Sequence, residues 1–182
     1  TSDQWIWEIK FDGYRLLARV EGDDVRLFTR RGNDWSERMP ALVDAVRALG
    51  IGPAWLDGEI VVYGANGVPD FNALQNAFES ARAEDIQYFV FDLPFHDGRD
   101  LRKVALRSRR ALLASLLAAE GSECVRLSQA FTATPAQVLE AAKRMRLEGI
   151  IVKRPDAPYV SQRSDTWLKI KCESRQEFVI GG

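Results

Sequence analysis

The chain has 182 residues, 46% of them hydrophobic, enough for one domain with a proper core. No apolar run approaches the roughly 20 residues of a membrane span. Two cysteines and one histidine, without metal-ligand spacing, exclude a zinc site and fit a reduced cytosol, while a net charge of −1 advertises no bulk nucleic-acid field.

The first residues, 1–5, resemble neither a signal peptide nor a natural start, which suggests an excised domain. Residues 5–11 and 14–20 read as strands joined by Asp12-Gly13, a hairpin signal. Residues 25–29 continue the meander after the turn at 22–24. Ser36 is placed to cap a helix through about Leu49, with Met39, Leu42, Val43 and Val46 at helical spacing. Residues 54–63 form another strand, interrupted by Asp57-Gly58. Asp70 can cap a short helix bearing Phe71, Leu74, Ala77 and Phe78, and the apolar run 88–91 is a buried strand.

A helix over about 105–119 follows. Its basic stretch (Arg99, Arg102, Lys103, Arg107, Arg109, Arg110) reads as a solvated face or linker, or as local basic surface. Eight further basic residues, Arg146 and Arg163 among them, lie between Lys143 and Lys171. Thr134-Pro135-Ala136-Gln137 combines an N-cap, a proline at the first helical position and a capping box, opening a helix to about Arg146. Gly149–Lys153 and residues 166–171 are strands around a loop at 154–165, and 178–180 begins a last apolar run. Meanders interrupted by single helices argue an α+β domain of mostly antiparallel sheets.

Chemistry concentrates at strand ends. Lys10 lies in Glu8-Ile9-Lys10-Phe11-Asp12-Gly13-Tyr14-Arg15, equipped to attack a phosphate once its amine is neutral, a state that nearby cations favour. Arg30 and Arg31 have the fork geometry that phosphates fit. Glu59 can accept from ribose hydroxyls, and Phe91 offers a ring for a purine, although a phenylalanine in an apolar strand equally serves the core. Glu148 precedes a buried strand, as a hard metal ligand or simply at a helix end. Lys169 and Lys171, two apart, project from one strand face. Taken singly, each has an ordinary structural explanation; their shared order favours one site.

In that order the residues resemble the adenylation domain of ATP-dependent DNA ligases, within the covalent nucleotidyltransferase superfamily. The segments 8–15, 70–76 and 91–101 are most similar to the ligase domain of the bacterial ligase D class of end-joining enzymes. The resemblance covers essentially the whole chain, 1–182. It implies a nucleotidyltransferase (ATP-grasp-like) core, with ATP bound between antiparallel sheets flanked by helices. Lys10 would carry AMP; Glu8 and Ile9 would lie by the adenine; Arg15 and Arg30 would contact the ribose–phosphate or the DNA phosphate. Glu59 would bind the ribose hydroxyl, Phe91 would stack on adenine, and Lys169 and Lys171 would contact the α-phosphate. Lys153 matches a basic position at the end of its motif. Asp12 and Glu148 would hold Mg²⁺ or Mn²⁺, with Asp12 equally placed to orient Lys10 or stabilise its turn.

The implied partners are nicked or broken duplex DNA, a C-terminal OB-fold domain, polymerase and phosphoesterase domains and Ku, in the bacterial cytosol. Three departures stand out. Arg31 replaces an asparagine common at that position, only nine residues precede Lys10, and the chain stops at Gly182, where the family continues into the OB-fold. RNA ligases and GTP-dependent capping enzymes share the lysine motif, and a non-catalytic nucleotide- or DNA-binding module is the rival from another class. His96 and Trp167 read as loop and packing residues.

Overall fold

A computed structural model describes residues 5–65, 67–79, 85–119, 122–131, 134–145, 147–161 and 164–172. The apolar run at 178–180, the residues at 1–4, Arg146 and Arg163 lie outside these. Among the described residues the elements are, in chain order, β1 (Ile6–Lys10), β2 (Tyr14–Glu21), β3 (Asp24–Thr29), α1 (Pro40–Ala48), β4 (Ala54–Val61), α2 (Phe71–Glu79), β5 (Gln87–His96), β6 (Arg99–Asp100), α3 (Leu106–Ala119), β7 (Val125–Leu127), β8 (Ala130–Phe131), α4 (Pro135–Arg144), β9 (Gly149–Lys153) and β10 (Trp167–Lys171), and the strands form two sheets. The smaller sheet has the order β10-β9-β1-β8; the larger has β3-β2-β4-β5-β6, with β7 parallel to β5.

Period-two patterning decides which face each strand buries. Leu16, Ala18 and Val20 of β2 lie with Leu27, Leu56, Ile60 and Val90 in one core beneath α1, α2 and α3. Behind the smaller sheet, Val138 and Ala142 of α4 cover Ile150, with Trp7 and Leu139 packed alongside. The remaining two faces, where the charged residues of both sheets sit, meet each other.

Asp12 and Gly13 do not close a hairpin. β1 pairs with β8 and β9, whereas β2 pairs with β3 and β4, so the turn carries the chain from one sheet to the other. Gly13 is required there for a different reason: a Cβ would lie 2.0 Å from Ile60 O. Nor does Ser36 cap the following helix. Its hydroxyl accepts from Leu27 N, residues Ser36–Arg38 form a 3₁₀ turn, and α1 starts at Pro40. Asp70 does cap α2, accepting from Asn72 N and Ala73 N, and Thr134 with Gln137 forms the expected capping box.

β5 continues past Phe91 to His96 through two register shifts against β4. Val90 opposes Gly58 while Asp92 opposes Asp57, which leaves Phe91 as an extra residue in a bulge. Pro94 falls within the second shift, a position where a strand tolerates proline. β6, β7 and β8, three residues or fewer each, are too short to show a period in sequence.

Candidate active site

β1 lies between β8 and β9, and its register aligns one charged face. Glu8 opposes Ile151, Lys10 opposes Gly149, and across β9 these meet Lys169 and Lys171 of β10. Cross-strand neighbours share a face, so Glu8, Lys10, Lys153, Lys169 and Lys171 project together. Gly149 keeps the row open between Lys10 and Lys171, and a Cβ on it would lie 2.2 Å from Ile170 O. Lys10 Nζ donates to Glu148 Oε2. Asp12 stands close enough to feel both: burial first, then the charges of Glu148 and Asp70, raise its carboxyl, with Lys10 opposing. Ile9 is the expected site residue that falls elsewhere. It is on the opposite face of β1, so its side chain is turned from the row and its backbone alone adjoins it.

The larger sheet supplies the facing wall. Arg15, Glu59 and Phe89 lie side by side on β2, β4 and β5. Burial pushes the Glu59 carboxyl up to about 7, against the pull of Arg15 and Lys10. Arg15 grips the fully buried Asp57 through Nε at 2.9 Å and Nη2 at 2.5 Å, and Tyr159 OH donates to the same carboxylate at 2.9 Å. Burial works against the guanidinium charge, but Asp57 overcomes it and raises the Arg15 pKa. Arg15 and Arg30 line a cavity of about 390 Å³ floored by the stacked rings of Phe28 and Trp55. Both arginines also line a neighbouring cavity of about 300 Å³ with Lys169, Ser161 and Ser164. Arg15, Arg30 and Lys169 therefore come together as a cationic wall, the arrangement that a polyphosphate fits.

Between the walls lies a buried charge network. Glu8, 1% exposed, forms ion pairs through Oε1 with Lys153 Nζ at 2.9 Å and Arg110 Nη1 at 2.8 Å, and its Oε2 accepts a hydrogen bond from Ser128 Oγ at 2.8 Å. Lys153, fully buried, stands over the Phe91 ring at 4.4 Å and the Trp167 ring at 4.1 Å. Burial lowers its pKa, with Arg110 adding to the effect and Glu8 resisting it. Trp167 meets Phe91 edge-on at 5.7 Å, packing against that ring. Arg109 forms a two-pronged pair with Asp92 at 2.7 and 2.8 Å.

Of the basic stretch read as a solvated face, Arg99, Arg102, Lys103 and Arg107 are exposed, whereas Arg109 and Arg110 depart from it at 1% and 8% exposed. Asp57, Asp92, Arg110, Ser128 and Tyr159 are the residues that motif reasoning missed. The alternation of Asp57 with Glu59 on one strand was the available signal for the first. The others act through partners 17 to 120 residues away, which no local pattern announces. His96 is a packing residue, its Nε2 2.9 Å from Ile51 O.

Among the described residues no group of three or more His, Cys, Asp or Glu side chains could hold a metal by itself. Asp12 and Glu148 carry hard oxygen donors of the kind that would hold a divalent cation together with phosphate oxygens.

Comparison with known proteins places the sequence and the fold. The family described as ATP dependent DNA ligase domain matches residues 1–171. The multifunctional non-homologous end joining protein LigD of Pseudomonas aeruginosa is 51% identical over 179 residues, 98% of this chain and 21% of that protein. Its Mycobacterium tuberculosis counterpart is 36% identical over 182 residues, covering 100% of this chain and 23% of that protein. The chain thus spans less than a quarter of these two relatives. Among solved structures, the ligase domain of M. tuberculosis LigD superposes with a TM-score of 0.84 at 33% identity, covering 93% of this chain and 54% of that one. A mycobacterial DNA ligase D complexed with ATP and MES gives 0.82 at 34% identity, covering 93% and 55%. A match over nearly the whole sequence, on a fold whose inner faces gather the lysines, arginines and carboxylates described above, makes this chain a member of the ATP-dependent DNA ligase domain family.

Proposed function

We propose that this domain carries out the adenylation step of an ATP-dependent DNA ligase, with Lys10 as nucleophile. The observation that carries the reading is the shared face of Lys10, Lys169 and Lys171, set against the Arg15–Arg30 wall. Lys169, Arg15 and Arg30 draw the triphosphate into the cleft; Glu59 accepts from a ribose hydroxyl; Phe91 supports the adenine, whose edge faces Glu8. Lys10 Nζ attacks the α-phosphorus, the bond to the bridging oxygen breaks, and pyrophosphate leaves with that electron pair while the amine loses a proton. A phosphoramidate to AMP remains on Lys10. Lys169 and Lys171 offset the negative charge that grows on the phosphoryl oxygens, and Glu148 holds the lysine head until then. A divalent ion held by Asp12 and Glu148 would neutralise phosphate charge.

In the longer protein, AMP then passes to the 5′-phosphate of nicked or broken duplex DNA and is displaced by the 3′-hydroxyl. An OB-fold domain downstream, polymerase and phosphoesterase domains alongside, recruitment by Ku and a place in the bacterial cytosol complete the reading. No helix among the described residues is long and apolar enough to cross a membrane.

Incubation with α-labelled ATP and Mg²⁺ or Mn²⁺ should leave label on the wild-type protein and none on Lys10→Ala, with intact-mass analysis showing one AMP. Equal labelling of the mutant removes Lys10 from the mechanism; label from GTP alone favours the capping reading.

A further inference from the structure

Arg110 has no place in the chemistry above, yet one ion pair and two hydrogen bonds made by it converge on the parts that would read the base. Nη1 lies 2.8 Å from Glu8 Oε1 and donates to Phe91 O at 3.1 Å; Nη2 donates to Ser128 O at 2.6 Å. Ser128 in turn donates its hydroxyl to the other Glu8 oxygen. One guanidinium therefore ties a carboxylate on β1, the main chain of the β5 bulge and the segment between β7 and β8. The carboxylate and the ring come from different sheets, and Arg110 spans the join.

We propose that Arg110 is a positioning residue that sets nucleobase selectivity, by locking the Glu8 carboxylate in register with the Phe91 ring. This rests on the reading that Glu8 and Phe91 receive the adenine. An ionised carboxylate only accepts hydrogen bonds. Adenine presents an amine donor at its sixth position, where guanine presents an oxygen acceptor. A carboxylate held beside that edge rewards adenine and repels guanine, provided that it cannot swing aside. Glutamate on its own has the freedom to do so; with one oxygen held by Arg110 and Lys153 and the other by Ser128, it has lost that freedom. Phe91 adds a second requirement. Its ring issues from a bulge, where ladder pairing is locally broken, and the Arg110 bond to its carbonyl replaces part of that restraint.

Folding alone does not call for the arrangement. Two buried cations share one carboxylate here, whereas well-packed apolar residues in place of a buried ion cluster are often neutral or stabilising. Lysine is no substitute for Arg110, because a single ammonium cannot reproduce the planar fork that reaches Glu8, Phe91 O and Ser128 O together.

The test compares wild type, Arg110→Lys, Arg110→Gln, Ser128→Ala and Glu8→Gln, measuring ATP and GTP affinity by calorimetry, AMP transfer to Lys10 and melting temperature. Wild type should favour ATP. Arg110→Lys and Arg110→Gln should cut the ATP-to-GTP affinity ratio by about tenfold or more, and Ser128→Ala by a smaller factor. The loss falls on KM for ATP and on the ratio more than on kcat. If the Arg110 variants fold and keep the wild-type ratio while Glu8→Gln loses it, the base-reading role of Glu8 stands and the inference about Arg110 is overturned. If wild type does not distinguish ATP from GTP, or Glu8→Gln keeps the ratio, the reading of Glu8 fails and the inference falls with it. If Arg110→Gln does not fold, Arg110→Lys and Ser128→Ala decide by the same criteria.

Discussion

Glu59→Gln should make the protein more stable at neutral and alkaline pH while impairing nucleotide binding. Unfolded, this carboxyl ionises at its ordinary value of 4.5; folded, burial moves it to about 7. Below the lower value the side chain is protonated in both states and costs nothing. Between the two, the folded protein binds a proton that the unfolded chain has lost, so stability falls as pH rises. Above about 7 the deficit is complete. A difference of about 2.5 pH units at 1.36 kcal/mol each amounts to about 3 kcal/mol. Glutamine carries no charge at any pH and lacks this slope. Urea melts of both proteins should therefore give a stability difference that starts near zero at about pH 4 and grows to about 3 kcal/mol at about pH 8. For a chain of this length that corresponds to roughly 6 to 12 °C in Tm. Subtracting mutant from wild type cancels the other carboxyls, including Asp24 and Asp100, which titrate in the opposite sense because arginine partners lower them. A difference that does not change with pH would show that Glu59 is not held near neutrality, and would refute the burial argument.

Other perturbations follow from the same geometry. Gly149→Ala places a methyl group against Ile170 O and should cost about 1–3 kcal/mol in chemical denaturation. Labelling of Lys10 should fall as well, since the change separates β9 from β10; a neutral result would mean that the strands need no close approach there. Asp57→Asn leaves Arg15 without its buried counter-charge and should cost about 3–5 kcal/mol. Tyr159→Phe removes one hydrogen bond to the same carboxylate and should cost only about 1 kcal/mol. Equal losses would contradict the ranking of charge over hydrogen bond.

Features written within a few residues were legible in sequence. The Thr134–Gln137 capping box is complete within four positions, and the Asp70 cap within three, so each forms as its own chemistry dictates. The lysine row was legible too, because period two needs only the strand. What failed were inferences that require knowing the partner. Asp12-Gly13 carries real turn chemistry, but turn residues do not say which strands will pair, and the chain uses them to change sheets. Ser36 has the right type for a cap, yet Leu27 N competes for its oxygen and Pro40 sets the helix start. Arg109 and Arg110 look like surface charges until Asp92 and Glu8 close on them from other strands. The bulge at Phe91 has the same character: it exists only relative to β4.

The larger sheet is an excursion within the smaller one: the chain leaves after β1 and returns at β8. Lys10 thus waits for partners that are synthesised later, pairing with Gly149 across more than a hundred intervening residues. Joining such distant segments carries a loop-closure cost, and strands that depend on it form slowly. A nascent or truncated chain ending before Glu148 has Lys10 but neither that carboxylate nor the two lysines of β10.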